Sequence, residues 1–143
     1  MSLIGVESRQ ERTIAHEILN AFPKGSITLI LDAKETLDIR LGGNRVAVRV
    51  LADKRGIALV KAIGPITATS ANHSGVEPVY DTTLAAKILG LDEKSIIVGE
   101  CPGGAPSTIL SLEKLDGNSS DYTVTIMREG VVPRNDVETW MRN

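Results

Sequence analysis

Between Glu7 and Phe22, the residues Ile14, Ala15, Ile18, Leu19 and Phe22 recur at intervals of three and four, a spacing that puts them on one side of a helix. Pro23 and Gly25 follow and predict its end. The pattern then changes: Ile27–Leu31 is a short apolar run, and Val46, Val48 and Val50 alternate with Ala47 and Arg49. Both stretches predict strands, with Gly42-Gly43-Asn44 as the turn before the second. Asp53 is placed to cap a helix running to about Ile63, since its carboxylate can accept a free amide proton of the first turn, and Gly64 with Pro65 stops that helix.

Farther along, Ile66–Thr69 predicts a buried strand leading directly into the polar loop Ser70–Gly75. A helix from Thr82 or Thr83 to about Leu89, a strand at Ile96–Val98 and a Gly/Pro-rich loop from Gly99 to Pro106 come next. Ser107–Leu112 and Tyr122–Arg128 are the last predicted strands, with Asp116-Gly117-Asn118-Ser119-Ser120 as the turn between them. Helices alternate with strands, so the predicted class is α/β. Neither an internal repeat nor a low-complexity tract interrupts the order.

Composition narrows the function classes. A chain of 143 residues with 42% hydrophobic content suits one globular domain, residues 1–143. The formal net charge of −2 provides no global basic field, and aromatics at 3% argue against a stacking platform for single-stranded nucleic acid. Cys101 is the lone cysteine, and with only His16 and His73 beside it no Cys/His cluster has metal-ligand spacing, so no structural metal is expected. No apolar run approaches the roughly 20 residues needed to span a bilayer, and a cytoplasmic protein without membrane contact is the expectation.

Two loops hold the candidate chemistry. In Thr67–Gly75 short hydroxyl and amide side chains leave backbone amides accessible, and Gly75 allows the tight curvature that lets such amides converge on a phosphate; an ordinary Ser/Asn-rich turn has the same composition. Cys101–Thr108 adds hydroxyls at the entry of a strand, and it is not a Walker loop because no G-K-S/T follows its glycines. His73 has no partners at triad spacing, and Cys101 has no neighbouring cation to lower its pKa, so no catalytic nucleophile or base is assigned. Arg49 reads as the solvent-side residue of its strand, Thr28 as a β-former or a site residue, and Arg128 as a surface ion-pair member or a site residue.

In order along the chain, Pro23-Lys24-Gly25-Ser26-Ile27-Thr28, Val46–Val50, Thr69–Gly75, Cys101–Thr108 and Met127-Arg128-Glu129-Gly130 resemble five motifs of the YrdC family of threonylcarbamoyl-AMP synthases: Pro-Gly-Pro-x-Thr, G-V-R-V, T-S-A-N-x-S-G, C-P-G-G-x-P-S-T and L-R-x-G. The resemblance extends from about Phe22 to Val132. It implies a twisted open mixed sheet with flanking helices. It also implies a nucleotidyltransferase that makes L-threonylcarbamoyl-AMP from L-threonine, bicarbonate and ATP, releasing pyrophosphate, for the threonylcarbamoyladenosine modification of tRNA. Carried across, Thr28, Asn72 and Arg128 would contact ATP, and Ser70 and Ser107 L-threonine. Such a reaction needs fixed donors around phosphate and carbamate oxygens more than a protein nucleophile, and Mg2+ would arrive with the nucleotide, held by phosphate oxygens.

Family members also begin with a segment carrying a P-T-D/E-T-x-Y-G-L motif and a K-x-R pair, which joins the Ser and Asn around the phosphates. Residues 1–22 match neither, and the predicted helix at 7–22 stands in that place. The resemblance is therefore to a truncated member and leaves three readings open. The chain is a synthase portion completed by another chain, a non-catalytic remnant that binds nucleotide, double-stranded RNA or tRNA, or a structural interaction module. A sheet without its first strands has edges to cover, so a homodimer or a complementing chain is expected.

Overall fold

Residues 9–115 and 121–142 are described by the structure, a computed structural model; the turn expected at 116–120 and the first two residues of the expected first helix lie outside them. The chain divides into two compact units, Met1–Leu59 together with Ala105–Asn143, and Val60–Gly104.

The first unit is organised by two strands that run parallel at its centre. Strand β1 (Ile27–Asp32) alternates buried and half-buried residues, so Ile27, Leu29 and Leu31 share one face and Thr28, Ile30 and Asp32 the other. Strand β3 (Thr108–Lys114) pairs with it in parallel, with Ile27 opposite Thr108 and Leu29 opposite Leu110. Strand β2 (Arg45–Arg49) adds antiparallel to β1 and β4 (Tyr122–Arg128) antiparallel to β3, giving the order β2-β1-β3-β4. The result is a mixed sheet in an α/β fold, and β2 and β4 are its edges.

One face of the sheet is apolar and covered. Helix α1 (Arg9–Ala21) contributes Ala15, Ile18 and Leu19, helix α4 (Arg134–Met141) contributes Val137, and these pack with Ile27, Leu29, Leu31, Leu110, Leu112 and Val132 as the core. Burial of such side chains is worth roughly 1.5–3 kcal/mol each before the entropy of ordering them is counted. Phe22 and Trp140 meet edge to face at 6.1 Å between ring centroids, joining the end of α1 to α4. Glu11 of α1 is buried, and its carboxylate accepts the Asp32 amide at 3.2 Å.

Helix α2 (Lys54–Ile63) begins as expected at Asp53, whose carboxylate accepts the amides of Arg55 and Gly56 at 3.0 Å. The Gly56 bond is the main reason that the Asp53 carboxyl lies below its ordinary pKa; burial opposes it, and Arg55 adds lesser effects in the same downward direction. The second unit contains helix α3 (Thr82–Leu89), capped by Asp81 through the Leu84 amide at 2.6 Å and ended by Gly90 in a left-handed conformation. Thr82 and Gly99 exchange hydrogen bonds of 2.8–3.0 Å, and Cys101 donates to the Tyr80 carbonyl at 2.8 Å, so the 99–106 loop starts against the base of α3. Ala85 and Ala86 are buried, whereas Leu84, Ile88 and Leu91 are exposed.

Two expected strands do not form. Residues 66–69 and 96–98 are irregular, and 66–69 are exposed rather than buried. Their β-branched residues supply propensity, but in the second unit there is only the isolated bridge between Asp81 and Glu100 to pair with, and propensity without a ladder does not make a strand. Helix α4 was not anticipated, and Ser107 precedes β3 instead of opening it.

Candidate functional site

The second face of the sheet is polar. Opposite positions in the ladders place Arg49, Thr28, Ile109 and Arg128 in one row across all four strands. With strands about 4.8 Å apart, the two arginine backbones lie roughly 14 Å from each other, at the two ends of the row. Arg128 reaches this face because of a bulge: Ile109 is opposite Arg128 while Leu110 is opposite Ile126, so Met127 is the extra residue. Regular pairing would set Met127 opposite Ile109 and turn Arg128 toward the core.

Thr28 and Ser107 meet in this row. Their hydroxyls lie 2.7 Å apart, and since one hydroxyl donates to the other, the second keeps a proton for a ligand oxygen. Arg128 donates from Nη2 to the Ser107 carbonyl at 2.8 Å, so its fixed guanidinium presents further N–H groups with no partner among the described residues. Three of the five residues assigned from sequence, Thr28, Ser107 and Arg128, are thereby brought together in one unit. Arg49, read from sequence as a solvent-side residue, faces the same way as Thr28; its alternation with core-facing valines was the available signal.

Lower on the same face the polar groups are already engaged. Arg45 makes an ion pair with Asp32 at 2.9 Å and donates to Ser111 Oγ at 2.7 Å and to the Leu112 carbonyl at 3.1 Å. Ser111 in turn donates to Glu113 at 2.7 Å. The open end of the face therefore offers cationic and hydroxyl donors, which suit anionic oxygens, and its acidic residues are turned to structural partners. Among the described residues no group of three or more His, Cys, Asp or Glu side chains could hold a metal ion.

Ser70 and Asn72 belong to the second unit. Ser70 is exposed and its carbonyl accepts the Thr69 hydroxyl at 3.2 Å. Asn72 spends both Nδ2 protons inside its own loop, on the His73 carbonyl at 3.0 Å and the Val76 carbonyl at 2.6 Å, across a turn in which Gly75 takes φ +79°. Its Oδ1 is buried and has no partner among the described residues. His73 bonds the Ile88 carbonyl at 3.1 Å, tying the loop to the end of α3.

A family profile described as "Telomere recombination", that of the Sua5/YciO/YrdC proteins, matches residues 5–130. The chain belongs to the Sua5/YciO/YrdC family. Its fold is similar to a crystal structure of P. abyssi Sua5 complexed with L-threonine, at 24% identity and TM-score 0.71, over 96% of this chain and 39% of that one. A doubly substituted variant of P. abyssi Sua5 matches at 26% identity and TM-score 0.69, over 94% of this chain and 40% of the other. The chain thus spans about two fifths of the Sua5 chains it matches. A search of curated proteins returned no match. No helix among the described residues is long and apolar enough to cross a membrane.

Proposed function

We propose that this chain carries an amino-acid- and nucleotide-binding portion of a threonylcarbamoyl-AMP synthase, with Ser107 on the L-threonine side and Thr28 and Arg128 on the ATP side; Ser70 and Asn72, in the second unit, are assigned by the family resemblance alone, to L-threonine and to ATP respectively. The observation that supports it is the Thr28–Ser107 hydroxyl pair at 2.7 Å with Arg128 bound to the Ser107 carbonyl, in a chain of the Sua5/YciO/YrdC family whose fold matches a Sua5 complexed with L-threonine. The ligand groups that these donors suit are oxygen anions: the amino-acid carboxylate, the carbamate and the phosphates. Charge-assisted bonds from guanidinium to such oxygens are about twice as strong as neutral ones.

In the reaction a carbamate oxygen formed from L-threonine and bicarbonate attacks the α-phosphorus of ATP, and pyrophosphate leaves. The protein's part is to orient the carbamate and to set positive charge and hydroxyl donors where negative charge grows, with no covalent intermediate. Arg128 and Arg49 supply the charge and the hydroxyl pair the orientation. Asp32 is committed to Arg45 and Glu113 to Ser111, so Mg2+ would be carried by the phosphates themselves. Contact between Asn72 and a phosphate requires its loop to release the amide protons now spent on His73 and Val76, and the orphaned Oδ1 lowers the cost of that release.

Calorimetric titration of the 143-residue chain with L-threonine, then with ATP and Mg2+, tests the reading. Saturable L-threonine binding that weakens in the Ser107→Ala variant is expected. A folded chain that takes up neither ligand would sink it. Pyrophosphate release with ATP, bicarbonate and L-threonine, measured on the chain alone and with a polypeptide carrying the P-T-D/E-T-x-Y-G-L and K-x-R segment added, then separates a binding remnant from a synthase portion.

A further inference from the structure

The Thr108 hydroxyl is fully buried and fully used. It donates to the Val132 carbonyl at 2.7 Å and accepts the amides of Gly130 at 3.0 Å and Val132 at 3.1 Å, which is the whole capacity of a hydroxyl group. Around it, the Val131 amide donates to the Pro106 carbonyl at 2.8 Å and Arg128 to the Ser107 carbonyl at 2.8 Å. The Thr108 amide donates to the Ser26 carbonyl at 2.9 Å. Gly130 lies so close to this segment that a Cβ there would sit 2.2 Å from the Pro106 carbonyl oxygen and 2.7 Å from the Ser107 carbonyl carbon and oxygen.

These bonds join three stretches that are distant in sequence, residues 26–28, 106–108 and 128–132. Ser107 stands between them with its neighbours pinned on both sides. Neither Thr108 nor Gly130 faces the row of Arg49, Thr28, Ile109 and Arg128, so neither is placed to touch a ligand. Both nevertheless decide where the Ser107 hydroxyl and the Arg128 guanidinium stand.

We propose that Thr108 is a positioning residue, whose saturated hydroxyl, with Gly130 fitted against the Pro106–Ser107 peptide, locks Ser107 and the Arg128 bonded to its carbonyl into one arrangement and, through Ser107, sets the affinity for the carboxylate of L-threonine. The inference rests on the functional reading above for its ligand and on the hydrogen bonds of Thr108 and the close fit of Gly130 for its geometry. Valine in place of Thr108 keeps the shape and leaves two amides and a carbonyl without partners, whereas serine keeps the hydroxyl.

The test compares the wild-type chain with Thr108→Val, Thr108→Ser and the core variant Leu112→Val, the last serving as a control that loses stability away from the site. Three readouts are taken: the thermal midpoint, L-threonine affinity by calorimetry, and the Arg128 side-chain NMR resonances, which are separate and slowly exchanging when the guanidinium is held. Thr108→Val is expected to lose roughly tenfold in L-threonine affinity, the equivalent of about one hydrogen bond, and to lose the ordered Arg128 signals. Thr108→Ser should keep both, and Leu112→Val should lower only the midpoint. A Thr108→Val protein with a lowered midpoint but wild-type Arg128 signals and affinity overturns the proposal. Should the wild-type chain not bind L-threonine, the functional reading fails, and the Arg128 signals alone then decide whether Thr108 positions this arginine.

Discussion

Removing the Thr28 hydroxyl isolates the contact on which the site reading rests. Ser107 is only 7% exposed, so once Thr28→Val takes away its partner at 2.7 Å, the serine hydroxyl is left largely desolvated and unpaired. An unsatisfied buried hydroxyl costs about 1–3 kcal/mol, whereas removing both partners together can be nearly neutral. Thr28→Val and Ser107→Ala should therefore each destabilise by roughly 1–2 kcal/mol, while the double variant loses clearly less than their sum, leaving a coupling of about 1 kcal/mol. Urea denaturation of the four proteins measures the cycle without reference to any ligand. Additive losses, within about 0.3 kcal/mol, would refute the claim that the two hydroxyls form one unit. If the coupling is present, L-threonine titration of the single variants shows whether that unit also receives the substrate.

Gly130→Ala should destabilise by about 1–3 kcal/mol, since the atoms its new methyl meets are backbone and cannot swing aside; thermal unfolding measures it, and a neutral result would contradict the close fit. Leu110→Ala, at a fully buried position in the core, should cost about 2–5 kcal/mol, readable as a shift in urea midpoint. The Asp38 carboxylate, chelated by Arg40 Nε and Nη2 at 2.9 Å, is held below its ordinary pKa, chiefly by that side-chain bond and then by the Arg40 amide. Because the folded pKa lies below the unfolded one, its stabilisation is present above the unfolded carboxylate pKa and fades as pH falls through the folded value. Asp38→Asn should flatten that small acid-side dependence, and added salt should weaken it in the wild type because the pair is exposed.

The elements that were legible in the sequence are those whose burial repeats with a clean period. The spacing of Ile14, Ala15, Ile18 and Leu19 announced α1, and the alternation of Val46, Val48 and Val50 with Ala47 and Arg49 announced β2, because in both the core takes every residue on one side. Ile66–Thr69 and Ile96–Val98 misled for the opposite reason: their side chains favour extended backbone, but a strand is completed by a neighbour, and local composition does not encode one. Helix α4 escaped because it is short, has Pro133 as an N-cap with no side-chain cap bond, and buries only Val137 fully. In the site, motif resemblance pointed to Thr28, Ser107 and Arg128, but no linear pattern shows that Met127 bulges out to bring Arg128 onto their face. The bonding of Thr108 was equally invisible, since a buried threonine in a strand reads as an ordinary β-former.

The parallel pairing of β1 with β3 also sets the order of events in folding. Thr28 and Ser107 are 79 positions apart, and a parallel pair cannot be started by a local hairpin, so the hydroxyl pair exists only after a long loop has closed. Closure entropy grows only logarithmically, about 0.6 kcal/mol for each doubling of loop length, so the length of the intervening chain, which includes all of Val60–Gly104, matters little to equilibrium stability. The rate is another matter, since distant contacts must be found before they repay the search. Antiparallel β3–β4, joined through a short connection, can assemble early, with the 128–132 segment bonded to Thr108 before β1 arrives. A chain folding in that order carries half of the site ready-made before β1 docks.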